Sequence, residues 1–225
     1  MRKIYEKGRS NIVANSAMVA TSQPLSSQEA INILRMGGNA VDAAISSALV
    51  QTVVDPMMCG IAGFGSMQLF LPEKNFHGFI DFHTTAPNSV KEDMWEKEIS
   101  HEARDGFGFI LKNRANEVGY ESIMTPGTLK AFFEAITEFG TMPWKEIIQP
   151  AINYASEGFT VSPAIDEFWD RSAGHGRISM DEKLRLNETA NSIFLDQNGT
   201  ISIEWGAYGV PETYLIKKNR IIKSH

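Results

Sequence analysis

Apolar residues recur at helical spacing in two consecutive stretches near the start of the chain. In "QPLSSQEAINILRM", Ile31, Ile33 and Leu34 follow Ser26-x-x-Glu29, a capping-box pattern in which hydroxyl and carboxylate satisfy the first free amides of a helix. Gly37-Gly38 then supplies the positive-φ residue that closes such a helix. Asn39 starts the next one at once, with Asp42 in its first turn, where the helix dipole favours an anion. Over "NAVDAAISSALVQTVV", Val41, Ala44, Ile45, Ala48, Leu49 and Val53 keep the helical period. Ala43, Ala44, Ser46, Ser47 and Ala48 give this second helix small faces, which predict close packing against a sheet. A short extended piece, Ala17–Thr21, precedes the pair.

The period then changes. Met67–Leu71 reads as a buried strand and Gly78–Phe82 as its partner, with "PEKNFH" as the hairpin connection. Residues 91–118 are polar, charged and poorly periodic, a loop or short-helix excursion. Pro126-Gly127 opens a helix that Gly140 ends, and Pro143 opens another that runs through Ser156 to Gly158. Pro150 lies inside the latter and predicts a kink or two shorter helices. Near the end, Thr200–Trp205 alternates like a half-buried strand, and Thr213–Ile216 and Arg220–Lys223 flank Lys217-Lys218-Asn219 as a hairpin.

Composition adds limits rather than identity. At 225 residues, with 43% apolar and 21% charged, the chain can bury one sizeable core. A net charge of −6 argues against nucleic-acid and anionic-membrane partners. No run approaches the length of a membrane span. The first 22 residues hold no continuous apolar core of a signal peptide, so the expected location is cytoplasmic, or periplasmic if a leader was lost. The single cysteine, Cys59, excludes an internal disulfide and Cys-x-x-Cys chemistry. Set between Met58 and Gly60, it is either a nucleophile or a buried inert thiol. The methionines at 57, 58, 67, 124 and 142 read as core fillers, not as a metal site.

"CGIAGFGS" invites a phosphate-loop reading that its context refuses. A dinucleotide fingerprint runs strand, glycine turn, helix, so that helix amides face the phosphates. Here the helix comes first and the strand second, the spacing is G-x-x-G-x-G, and no Gly-Lys-Ser/Thr follows. These glycines are expected to let a backbone pass close to another backbone, or to a substrate, where a Cβ would clash.

Three segments carry a resemblance: "MVATSQPLSSQEAINILRMGGNAVDAAISSALVQTVVDPMMCGIAGFGSMQLFL", "IDFHTTAP" and "TPGTLKAFFEAITEFGTMPWKEIIQPAINYASEGFTV". Together, over about residues 14–165, they resemble the N-terminal part of the γ-glutamyltranspeptidase family. That resemblance implies an α+β chain, part of an N-terminal-nucleophile hydrolase αββα sandwich made as a self-cleaving precursor. It implies acyl transfer without metal or organic cofactor, on a small-molecule amide or γ-glutamyl-type substrate. In the family a threonine freed at the start of the small subunit attacks the amide, with its own α-amine as base. Backbone amides of two glycines stabilise the oxyanion. No Thr-Thr-His-Ser-like processing site occurs here, so the resemblance implies a large-subunit portion with no catalytic residue of its own. Such a portion is inactive alone, pairs with a small subunit, and leaves Met67–Leu71 and Phe79–Phe82 partly uncovered.

One substrate contact falls within the matched residues. The family's Asp-Phe-Arg-Glu-Thr-Ala-Pro motif binds the α-carboxylate of the glutamyl group through its arginine. Here the motif reads Asp81-Phe82-His83-Thr84-Thr85-Ala86-Pro87, so the resemblance makes His83, Thr84 and Thr85 the candidate substrate-binding residues. An imidazole does not replace a bidentate guanidinium. The change points away from γ-glutamyl groups toward the family's amidohydrolase and acylase branches, with a structural, hydrogen-bonded His83 as the alternative.

The end of the chain carries a second resemblance. "FLDQNGTISIEWGAYGVPETYLIKKNRIIKSH" resembles the C-terminal part of a thioredoxin-like thiol:disulfide oxidoreductase of the cytochrome c maturation type, without its Cys-x-x-Cys half. The implied division is 1–192, transpeptidase-like, and 193–225, a short thioredoxin-like β-hairpin tail foreign to the rest, with Val210–Pro211 cis if its turn survives. Two other functions remain open on these residues: a thioredoxin-like redox accessory protein, and a scaffold binding a small acid or a small subunit.

Overall fold

The computed structural model describes residues 16–56, 58–159 and 174–194, together with strands at 202–204, 213–217 and 220–224. The fold is α+β. Helix α1 spans Pro24–Arg35 and α2 spans Ala40–Val54, with the corner between them turned by Gly37 at φ 96°. β1, Ser66–Leu71, pairs antiparallel with β2, Phe76–Asp81, in the register Ser66↔Asp81 to Leu71↔Phe76. A single 3-10 turn, Pro72–Lys74, and Asn75 in the left-handed region join them. β3, Ile99–Glu102, and β4, Phe109–Leu111, form a second antiparallel pair with an irregularity between Ile99 and His101. Helices α3, Thr128–Phe139, and α4, Trp144–Glu157, follow, then the short α5, Met180–Arg185, and α6, Glu188–Phe194. β5, Ser202–Glu204, β6, Thr213–Lys217, and β7, Arg220–Ser224, form a third antiparallel sheet in that order.

α2 is the centre of the core. It is buried on nearly every side, including Val41, Ile45, Leu49, Val50 and Val54, which is the signature of an interior helix. Its small residues serve helix packing rather than the sheet contact predicted for them. α1 and α4 are its main neighbours, and Ala43, Ala44, Ser47 and Ala48 line a groove of about 590 Å³ shared with α1 and residues 16–22. The N-cap of α2 is a complete capping box: Asn39 accepts from Val41 and Asp42 amides, and Asp42 accepts from the Asn39 amide at 2.8 Å. The Asp42 carboxylate, fully buried, also accepts from the Thr141 amide at 3.1 Å, the Thr141 hydroxyl at 2.6 Å and the Met142 amide at 3.3 Å. One side chain thus ties the start of α2 to the turn between α3 and α4.

The β1–β2 ribbon lays one face on this core through Met67, Leu69, Leu71, Phe76 and Ile80, with Phe76 stacked 4.7 Å from Phe139. The opposite face is uncovered, as expected: Phe70 is 70% exposed and Phe79 61%. Residues 174–179 are fastened to the β3–β4 region by side chains. Arg177 makes a bidentate contact with Asp105 at 2.6 and 3.0 Å and donates to the Phe107 carbonyl, and Glu117 accepts from both Arg114 and the Ile178 amide.

Several predicted details need correction. α1 begins at Pro24, a proline at its first helical position, behind Gln23, so Ser26 is an interior, buried helical residue and no capping box forms there. Residues 91–118 contain the β3–β4 pair, which short irregular strands without alternation concealed. Of the two alternatives for Pro150, the division into two shorter helices is not found: α4 is one helix with the proline inside it. Met58 and Met124 are exposed at 64% and 46% rather than core fillers, and Met57 lies outside the described residues. The hairpin expected at 213–223 is present as β6–β7, but the burial of its side chains and the Val210–Pro211 bond lie outside the described residues. Among the described residues no helix is long and apolar enough to cross a membrane.

Candidate functional site

The glycine stretch forms the connection from α2 to β1, and it is pinned by main-chain contacts. The Gly63 carbonyl accepts the amides of Gly127 and Thr128 at 3.1 and 3.3 Å, and the Gly65 carbonyl accepts that of Phe82 at 3.1 Å. The start of α3, the end of β2 and this loop therefore meet in one place. Gly127 is required there: a Cβ on it would lie 2.5 Å from the Phe82 carbonyl oxygen. Within the stretch, Gly63 has backbone where a Cβ would sit, the Gly60 carbonyl oxygen at 2.9 Å, while Gly65 faces the Phe82 ring and Gly60 open space; no helix N-terminus follows them.

A cavity of about 810 Å³ opens beside this junction. Thr52, Cys59, Phe64, Met67, Phe82 and Phe132 are among its lining residues, and among the described residues no charged one lines it. Cys59 is half-buried there, and its thiol donates weakly to the Asp55 carbonyl at 3.6 Å. Burial first, and the Asp55 carboxylate second, push this thiol up to about 11. A thiolate is the nucleophilic form. The raised thiol favours the inert reading of Cys59 over the nucleophilic one, although the side chain is half-buried rather than buried.

At the rim, the turn after β2 carries the three predicted residues on one exposed stretch. His83 follows Phe82, and its imidazole lies 5.5 Å from the Phe64 ring. Its Nδ1 is 2.7 Å from Asp81 Oδ1, which also accepts the His83 amide at 3.0 Å. Those two contacts, the amide before the ring, hold the Asp81 carboxyl below the usual carboxylate range. The Thr84 hydroxyl donates to Met124 Sδ at 3.4 Å, and Thr85 bridges Thr125, its carbonyl accepting the Thr125 amide at 3.0 Å. Thr84-Thr85, the one adjacent threonine pair in the chain, is therefore fixed inside a folded turn. Asp81 and Phe64 were missed by sequence reasoning. The Asp-x-His spacing was a readable signal for the first, while the second comes from another loop. Among the described residues no group of three or more His, Cys, Asp or Glu is placed to hold a metal ion.

The sequence profile described as Gamma-glutamyltranspeptidase matches residues 26–207. The chain belongs to the γ-glutamyltranspeptidase family. Among curated proteins it is 42% identical over 149 residues to the Acylase ACY 1 proenzyme of Pseudomonas sp. (strain V22), covering 65% of this chain and 25% of that one. It is 32% identical over 165 residues to the Glutathione hydrolase proenzyme of Bacillus subtilis (strain 168), covering 73% of this chain and 27% of that one. The crystal structure of Helicobacter pylori gamma-glutamyltranspeptidase superposes with a TM-score of 0.70 at 23% identity, over 84% of this chain and 49% of that one, which shows the shared fold. The chain spans about a quarter of the length of the curated relatives it matches. The γ-glutamyltranspeptidase match extends 15 residues beyond position 192, through β5 and short of the β6–β7 hairpin.

Proposed function

We propose that this chain is the large-subunit portion of an acyl-transferring amidohydrolase of the γ-glutamyltranspeptidase family, and that its acyl group is not γ-glutamyl. His83, Thr84 and Thr85 form one wall of the acyl site, and a threonine-led subunit supplies the nucleophile. The carrying observation is the imidazole of His83, paired with Asp81 where the family motif has an arginine. A guanidinium offers a fixed positive fork to a carboxylate, whereas an imidazole held by Asp81 offers no such bidentate fork. The similarity to an acylase supports the same direction.

The chemistry is attack of a threonine hydroxyl on the amide carbonyl, with its proton passing through a base to the departing amine, and release of the acyl group from the resulting threonine ester by water or an acceptor amine. Positioning the acyl group is the part this chain supplies, and positioning without a nucleophile leaves the covalent steps undone. The purified chain is therefore expected to hydrolyse neither γ-glutamyl anilide nor simple acyl anilides. Mixed with a separately made threonine-led subunit of a relative, it should hydrolyse acyl anilides in preference to the γ-glutamyl one. His83→Arg in that complex should improve binding of the γ-glutamyl compound by about 1.5 kcal/mol, roughly tenfold. Turnover by the chain alone that vanishes on substituting one of its own residues would refute the inactive-portion reading. An unchanged ranking of acyl groups in His83→Arg would return His83 to a structural role.

The division at 192/193 belongs to the same proposal. The β6–β7 hairpin beyond the family match supports a second segment, and the match over 193–207 counts against a boundary that early.

A further inference from the structure

The His83 ring is held from two directions. Asp81 Oδ1 lies 2.7 Å from Nδ1, and the Phe64 ring lies against the imidazole at an interplanar angle of 40°. An ionised carboxylate can only accept, so Nδ1 carries the proton in this contact. In the neutral imidazole that leaves Nε2 with a lone pair. Nε2 has no partner among the described residues, and the His83 side chain is 59% exposed.

The position is thereby inverted relative to a guanidinium. Arginine offers donors only, with a fixed positive charge. The Asp81–His83 pair with neutral imidazole offers an acceptor, with a negative charge behind it. A carboxylate approaching Nε2 meets a lone pair and a second carboxylate, whereas an ammonium or amide N–H meets a hydrogen-bond acceptor. We propose, resting on the reading of His83 as an acyl-group contact, that this pair recognises a hydrogen-bond donor on the acyl group, an ammonium or amide N–H. Asp81 is the positioning residue: it touches His83, not the ligand, and fixes the tautomer and plane that present Nε2.

The test uses the full chain at pH 8.5. Imidazole 1H–15N correlation spectra, with His83 assigned from its absence in His83→Gln, should show the Nδ1–H tautomer. Asp81→Ala should move the population toward Nε2–H. Ligand-observed NMR then ranks three amides that differ only at the far end: 5-aminopentanamide, glutaramic acid and pentanamide. The ammonium compound should bind about two- to fivefold more tightly than the carboxylate, the range of an exposed charge pair, and His83→Arg should reverse that order. An Nε2–H tautomer in the unsubstituted chain, or a preference for glutaramic acid, overturns the inference while leaving His83 as an acyl contact. Failure of all three amides to perturb the His83 resonances overturns both.

Discussion

Asp42 and Asp81 use the same chemistry for opposite ends. Each is a carboxylate that accepts at least one main-chain amide and one further side-chain donor. Asp42 is completely buried and gathers donors from Asn39 and, about 100 residues later, from Thr141 and Met142. Asp81 is 64% exposed, and both of its donors belong to His83, two residues on. In a low-dielectric interior each unpaired donor carries a desolvation cost, so a multiply satisfied carboxylate locks elements together. In water the donors have an alternative partner, so the same contacts orient a side chain and contribute little to folding. The difference separates what holds this fold from what equips its rim.

The largest expected effect tests the buried end. Asp42→Ala would take a fully buried shared acceptor from the Asn39 amide, which is part-buried, and from the Thr141 amide and hydroxyl, which lie nearer the surface. A loss of about 2–4 kcal/mol is expected, read from urea denaturation followed by tryptophan fluorescence. A loss no larger than that of Asp81→Ala would erase the distinction between the two carboxylates. The same hub can be strained from the other side. A Cβ on Gly140 would lie 2.7 Å from Asp42 Oδ1 and 2.7 Å from the Ile136 carbonyl oxygen. Gly140→Ala is expected to cost about 1–3 kcal/mol as the turn shifts to relieve the overlap. Combined with Asp42→Ala it should cost less than the sum, since both act on one contact.

The two ends differed equally in how far they could be read before the structure. Asn39 and Asp42 were legible because capping is local: both residues and their period lie within four positions. The Asp42 contacts to Thr141 and Met142 were not legible, because nothing in a local pattern states which distant turn a buried carboxylate will meet. The start of α1 was misplaced because two start signals overlap, Pro24 and the Ser26-x-x-Glu29 box, and the proline prevailed. The β3–β4 pair was invisible because three- and four-residue strands with a bulge carry no period. The candidate residues His83 through Thr85 came from family resemblance, and the structure places them on one turn beside the glycine junction. Their partner Asp81 was within reach of sequence reading. Phe64 was not, since ring contact between two loops is a tertiary fact.

A third carboxylate stands between these extremes and gives the next effect in size. Asp105 is partly exposed, and it fastens residues 174–179 through the bidentate contact with Arg177. The Arg177 guanidinium, followed by the Phe107 amide, lowers its carboxyl to about 2. A depressed folded value means that the contact contributes at every pH above the ordinary carboxylate range. It is lost as pH falls from about 4 toward about 2, when the folded carboxylate at last takes a proton. The Arg177 Nε–H resonance should accordingly keep its position from pH 7 down to about pH 4 and shift only below that. Arg177→Ala should raise amide exchange in residues 174–179 at neutral pH without lowering the global unfolding midpoint measurably. A shift of the Nε–H resonance near pH 5 would mean that the carboxylate is far less held than its contacts imply.

The smallest expected effect lies at the rim itself. Asp81→Ala removes two hydrogen bonds, yet both are solvent-exposed and both donors can turn to water. His83 remains on a turn that Thr85 and Thr125 still bridge, and the Phe64 ring still lies against it. The unfolding midpoint should therefore not move beyond error, even though the carboxyl of Asp81 is lowered by its contacts with His83. The sign of that shift offers a second handle on the same variant. A lowered carboxyl contributes stability above its unfolded value and loses it as pH falls through the folded one, so any small difference between Asp81→Ala and the parent should shrink in acid. If Asp81→Ala instead unfolded the chain as Asp42→Ala is expected to, the loop after β2 would be part of the framework, and the Asp81–His83 pair would owe its geometry to folding rather than to the rim.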